Sequence, residues 1–134
     1  MKRHSLLNGW VVLTLVLALL PGISAPAVKA ALLRYTTIGS DTTWSTDRVL
    51  TTDVVVQNGA TLTIEDITVT ANASDAAPYS GGLSPKIEII VENGGALEVK
   101  SGAALTANVA GDWYGVVFLP GSSGSITGAT IENG

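Results

Sequence analysis

The sequence predicts an all-β chain wound as a parallel β-helix, and three observations carry that prediction. First, "VVVQNGATLTIED" (Val54–Asp66) and "IIVENGGALEVKS" (Ile89–Ser101) align at an offset of 35, so that Val56, Asn58, Gly59 and Leu62 meet Val91, Asn93, Gly94 and Leu97. Second, apolar and polar residues alternate over short runs bounded by Gly, Asn and Asp, as in Thr61–Glu65 and Leu97–Lys100, which is the period of a strand with one buried face. Third, the repeat resumes after an interruption, with "TVTAN" (Thr68–Asn72) meeting "ALTAN" (Ala104–Asn108) at an offset of 36. The interruption is Ala73–Pro85, rich in Ser, Gly, Pro and Ala, which reads as a loop. Without it each unit is about 22 or 23 residues long, within the range of solenoid repeats.

Taken in order, the chain opens with a basic head (Lys2, Arg3), an apolar run from Leu6 to Leu20 and a small-residue tail, "SAPAVKA". That sequence of regions is a secretory signal peptide over residues 1–30, with cleavage between Ala30 and Ala31. The run is shorter than the roughly 20 apolar residues a bilayer span needs. Residues 31–53 lie outside the repeats and are expected to cap the solenoid, offering Leu32, Leu33, Tyr35, Ile38 and Trp44 to cover its apolar end.

Residues 54–134 supply about three coils of three strands each. The first is Val54–Val56, Leu62–Ile64 and Ile67–Thr70, and the second Ile87–Val91, Leu97–Val99 and Ala104–Ala107. The third is Tyr114–Leu119, Ser125–Thr127 and Ala129–Glu132. Stacked coils place equivalent residues about 4.8 Å apart, so Leu62 should sit on Leu97, Ile64 on Val99 and Val56 on Val91. Glu65 and Lys100 should then be outward neighbours. Asn58-Gly59 and Asn93-Gly94 fall at corners, where positive φ is tolerated. A small antiparallel sandwich with hairpins at each Asn-Gly is the competing fold, but it leaves the likeness between units unexplained. The closing "ATIENG" brings another Asn-Gly pair, Asn133-Gly134, and looks like a coil interrupted as it turns, so the chain is expected to be the N-terminal part of a longer solenoid.

Charge and composition narrow the function. Without Lys2, Arg3 and Lys29, the seven basic residues fall to four against eleven acidic ones, a net charge of −7. Such a chain is a poor partner for nucleic acid or for an anionic membrane. There is no cysteine, and the single histidine, His4, lies in the signal peptide. Disulfides, a Ser-His-Asp triad and His- or Cys-ligated zinc are thus excluded from the mature chain.

The stretches "TTWSTDRVLTTDVVVQNGATLTIEDITV", "IIVENGGALEVKSGAALTA" and "DWYGVVFLPGSSGSITGATIENG" together resemble the opening of secreted right-handed parallel β-helix proteins of the pectin-lyase-like superfamily. Trp44 and Val56–Ile64 match a Trp followed by "V…GATLTI", and Trp113, Gly115 and Val116 match a Trp-x-Gly-(Ile/Val) element. One departure stands out: Glu65-Asp66-Ile67 replaces the family's usual Glu-Pro-Gly. The resemblance implies a right-handed coil, export and a carbohydrate-rich setting. It does not imply one activity, because the fold hosts lyases, hydrolases, adhesins and stalks.

Members of that superfamily that are lyases hold calcium with clustered Asp residues and use Arg or Lys as base. The nearest counterparts here are Asp41, Asp47 and Asp53, spaced six apart, and Glu65-Asp66. Calcium needs six to eight oxygens converging on one point, which a six-residue spacing does not provide, so these are read as turn acids and no metal, cofactor or catalytic residue is assigned. Arg34, Arg48, Lys86 and Lys100 lie in no acidic constellation. Trp113 and Tyr114 are the candidate glycan contacts, set against the reading in which Trp113 simply anchors a coil. Asn72 opens a formal glycosylation sequon, "NAS".

The leading expectation is a non-catalytic secreted, cell-surface or periplasmic β-helix segment acting as scaffold or adhesive stalk. Polysaccharide or surface glycans are its expected partners, with self-association through the open C-terminal edge. The alternatives are the front end of a polysaccharide lyase or glycoside hydrolase, with its catalytic coils beyond Gly134, and a small carbohydrate-binding module. Export is directly testable: N-terminal sequencing of secreted material should begin at Ala31 or within a residue or two, whereas a membrane-retained product starting at Met1 would refute cleavage.

Overall fold

The computed structural model describes residues 35–73, 75 and 78–134. The expected signal peptide, its expected Ala30–Ala31 cleavage point and Leu32, Leu33 and Arg34 lie outside the described residues. Twelve strands make up the fold, and no helix occurs among the described residues. In chain order they are β1 (Thr36–Ile38), β2 (Thr42–Trp44), β3 (Arg48–Leu50), β4 (Val54–Val56), β5 (Thr61–Ile64) and β6 (Thr68–Ala71), then β7 (Ile87–Val91), β8 (Ala96–Val99), β9 (Ala104–Ala107), β10 (Trp113–Phe118), β11 (Ser123–Ile126) and β12 (Thr130–Ile131). Every pairing is parallel. Three four-stranded sheets result, ordered β1-β4-β7-β10, β2-β5-β8-β11 and β3-β6-β9-β12. Successive strands visit the first, second and third sheet and then return to the first, a connectivity compatible with a parallel β-helix.

The expected register is present residue for residue. Val56 pairs with Val91, Leu62 with Leu97 and Ile64 with Val99. Those side chains point inward and belong to one core that draws on all three sheets. Outside it, the Lys100 ammonium sits 3.2 Å from the Glu65 carboxylate, both of them exposed. At the corner between the first and second sheets Gly59, Gly94 and Gly121 stack, with φ of 79°, 77° and 84°. Gly59 N–H donates to Gly94 O and Gly94 N–H to Gly121 O, each at 2.9 Å. The left-handed backbone there favours glycine and lets the carbonyls point along the stack. Asp66 takes the same conformation at the next corner, with φ of 54°, so an Asp does the turning that the resemblance assigns to Glu-Pro-Gly. The offset grows from 35 to 36 at this corner because Lys100–Ala103 is one residue longer than Glu65–Ile67.

The stack has four layers rather than about three. The additional layer comes from β1, β2 and β3, within the segment expected as a cap, which pair in turn with β4, β5 and β6. Each of these strands buries a single large residue at its end: Ile38, Trp44 and Leu50, spaced six apart. The remaining positions are mainly Thr and Arg, which disguises the repeat. The expected match of Asn133-Gly134 to the Asn-Gly corners is also corrected: Asn133 follows β12 in the third sheet, and Gly121 holds the fourth layer's place at that corner. The Asn amides that join along the stack are Asn108 Nδ2, which donates to Asn72 Oδ1 at 2.6 Å, rather than those of Asn58 and Asn93.

Leu97 is fully buried between its layer neighbours. Leu97→Ala should therefore cost about 2–5 kcal/mol through the cavity it leaves. Lys100→Ala, which breaks only an exposed pair, should cost about 0.2–1 kcal/mol. Urea unfolding of both variants checks the ranking, and equal losses would contradict the inward register.

Candidate functional site: a carboxyl cluster beneath the Tyr79 strap

The three acids at six-residue spacing occupy three different corners. Asp41 Oδ1 accepts from Thr61 N–H at 2.9 Å and Asp47 Oδ1 from Thr68 N–H at 2.8 Å. Asp53 Oδ1 accepts from Glu88 N–H at 2.7 Å. Each carboxylate thus ties its own corner to a strand of the next layer. Six residues is one strand plus one corner in this part of the stack, so the spacing that suggests a cluster is the spacing that keeps these acids apart. Glu65 pairs with Lys100, and Asp66 forms a corner.

Asp53 does gather acids, but from elsewhere in the chain. Residues 78–85 of the inserted loop lie over the outer face of the first sheet. This face is apolar as well: Val55, Ile90 and Val117 form a second buried cluster, with Tyr35, Tyr79 and Leu119 packed against it. The Tyr35 and Tyr79 rings meet edge to face at 4.8 Å. Asp53 Oδ2 accepts from Tyr79 N–H at 2.7 Å, and the Glu88 carboxylate accepts from Leu83 N–H at 3.0 Å. The Tyr79 hydroxyl donates to Glu92. Residues 78–85 are thereby strapped across the sheet at several points.

Asp53 and Glu88 are both 0% exposed. Burial pushes the Asp53 carboxyl above its usual range, opposed by its Tyr79 and Glu88 backbone donors and reinforced by the nearby Asp75 carboxyl. Burial raises Glu88 as well, with the Asp53 and Asp75 charges adding to the effect. The Tyr79 phenol is pushed up to about 12, mainly by its bond to Glu92. Lys86 lies next to the cluster in sequence, but its ammonium donates to Gly111 O. Among the described residues no group of three or more acids, histidines or cysteines is arranged to hold a metal ion.

The aromatic pair separates. Trp113 is 2% exposed, lies in the main core and donates its Nε1–H to Glu132 O at 3.0 Å, so protein covers its ring. Tyr114 sits where the β10–β7 register slips between Trp113 and Gly115, and it is 49% exposed. Only Tyr114 of the two offers a ring to a ligand. The first layer has a cleft of about 290 Å³ lined by Trp44, Asp47, Arg48 and Leu50 among others. There the Arg48 guanidinium covers the Trp44 ring at 4.6 Å. Asn72 is engaged with Asn108. Sequence reasoning missed Glu88, Asp75 and Tyr79. The available signal was the failure of alternation in "VVV" (Val54–Val56) and "IEIIV" (Ile87–Val91), where Val55 and Ile90 are apolar at outward positions and so imply a covered outer face.

No protein-family model, curated protein or solved structure matches the chain.

Asp53→Ala strips the acceptor from two backbone donors beneath the strap and should cost about 1–3 kcal/mol for each of them that stays buried. Asp47→Ala, at an exposed corner, should cost about 0.5–1.5 kcal/mol. Chemical denaturation of the two variants tests this, and a smaller loss for Asp53→Ala would contradict its role as the strap's anchor.

Proposed function

We propose that this chain is an exported, right-handed parallel β-helix segment of the pectin-lyase-like type, acting as a non-catalytic scaffold or adhesive stalk outside the cell. The observation that carries the reading is the commitment of its acids to structure. Asp41, Asp47, Asp53 and Glu88 accept backbone N–H groups, Glu65 holds Lys100, and Glu92 holds Tyr79. A lyase or hydrolase on this fold needs carboxylates aimed at a ligand. The signal peptide supports export. The edge strands β10, β11 and β12 expose Phe118, Ile126 and Ile131, which favours lateral continuation or self-association at that edge.

A glycan-contact role is favoured by one observation, the exposed Tyr114 ring on its bulge. Incubation with uronic-acid polysaccharides should yield no unsaturated product, measured by ultraviolet absorbance, and any appearance of product would favour the enzyme reading. Binding on a glycan array that Tyr114→Ala abolishes would favour the carbohydrate-binding module instead.

A further inference from the structure

Three Asn-Gly pairs, Asn58-Gly59, Asn93-Gly94 and Asn133-Gly134, are exposed, yet they stand in two different surroundings. The first two occupy equivalent corner turns. Ala60 N–H donates to Gln57 O at 3.1 Å and Gly95 N–H to Glu92 O at 2.9 Å, closing turns with a left-handed glycine at the third position, the type II pattern. The next layer then holds both turns. Gly59 N–H donates to Gly94 O and Gly94 N–H to Gly121 O. The Asn58 amide lies where a Cβ on Gly94 would stand, and the Asn93 amide lies likewise over Gly121. In the last layer the equivalent turn is Leu119-Pro120-Gly121-Ser122, closed by Ser122 N–H to Leu119 O at 3.0 Å. Asn thus stands at this corner where another layer covers it, and Pro120 stands in the layer that closes the column. Asn133 has no such cover. Its Nδ2 donates to Thr106 Oγ1 at 2.9 Å and its carbonyl accepts from Gly111 N–H, but Gly134 N–H makes no hydrogen bond among the described residues.

We propose that Asn133 is the residue at which the folded molecule deamidates, while stacking shields Asn58 and Asn93, which share its chemistry. An Asn-Gly pair deamidates when the glycine nitrogen attacks the Asn Cγ. The new N–Cγ bond closes a five-membered imide, the Cγ–Nδ2 bond breaks, and ammonia leaves with the proton shed by the glycine nitrogen. Water then opens the imide at either carbonyl, giving aspartate or isoaspartate, with no oxidant or reductant involved. Glycine favours the attack because it has no Cβ to hinder the approach. At Asn58 and Asn93 the next layer restrains both reacting atoms. The nitrogen must give up a proton that it shares with a carbonyl. The Asn ψ must also rotate out of the extended value of a type II turn, which pulls the amide off its seat on the next glycine. Reaction there requires the corner to open, and its rate follows the population of that open state. At Asn133 the amide has one hydrogen bond, to Thr106, and the nucleophile has none. Conversion exchanges the Nδ2 donor for a carboxylate, which breaks that bond and places a negative charge next to Glu132 at the end of β12. Charge on a strand edge opposes pairing, so ageing at Asn133 would weaken association at this edge, a consequence that rests on the scaffold reading.

Incubation of the purified chain at mildly alkaline pH, native and in guanidinium chloride, followed by peptide mapping with mass spectrometry, tests the assignment. In denaturant all three pairs should convert. In the native chain Asn133 should convert at close to its denatured rate, and Asn58 and Asn93 at least about tenfold more slowly than theirs. Asn133→Gln should remove the native reaction and leave the other two pairs shielded. Pro120→Asn supplies the matched contrast, because it puts an Asn-Gly pair into the same turn in the last layer. Its new amide should convert in the native chain while Asn93 persists. The map is the same whether or not the chain associates, so its failure is distinct from a failure of the scaffold reading. The wild-type map is decisive even where a variant fails to fold: native conversion of Asn58 or Asn93 at the denatured rate, or an Asn133 that stays intact, overturns the proposal.

Discussion

Parallel in-register stacking is the constraint on which everything else in this molecule depends. Each residue is the floor for its equivalent one layer on, so a side chain must suit its own position and the positions above and below it. Leu62 on Leu97 and Ile64 on Val99 satisfy this with like on like. Where the series stops, the consequences are local and visible. Gly124 takes the place above Leu97, leaving no side chain to extend the column, and the Phe118 ring lies over it instead. The last layer accordingly exposes Ile126 and Ile131, which occupy inward register positions.

Corners obey the same rule with different chemistry. A strand-to-strand corner must turn sharply, repeat in every layer and leave backbone groups bonded. Gly59, Gly94 and Gly121 do this with left-handed backbone and N–H to carbonyl bonds along the stack. Asp41 and Asp47 in the first layer, and Asp53 as the chain enters the second, do it with carboxylates that reach the next layer. The acidity of the chain is therefore partly a feature of its construction. It need not signal an acidic surface built for a ligand.

The first sheet is the exception, because both of its faces are covered. β4 and β7 are buried at every position, as parallel strands are when a second layer packs over them. Here the second layer is a strap containing Tyr79 rather than a helix, and its fastening is polar. Buried acids of this kind hold the strap by accepting its backbone N–H groups, against the cost of taking a carboxyl out of water.

The sequence by itself determined the all-β class, the pairing of Val54–Thr70 with Ile87–Ala107 and the Asn-Gly corners, because stacking writes itself as a repeat. It also marked Ala73–Pro85 as an insertion. The first layer was hidden: Ile38, Trp44 and Leu50 satisfy the core with one residue per strand, too sparse a pattern to align with the later units. Only the tertiary structure decided which acids meet. Asp41, Asp47 and Asp53 share a spacing yet face three corners, while Asp53, Asp75 and Glu88 share no motif and converge through one folded-back strap. Local periodicity encodes what lies one layer away. The path of an irregular insertion over a sheet has no period, so its contacts appear only when the chain has closed on itself.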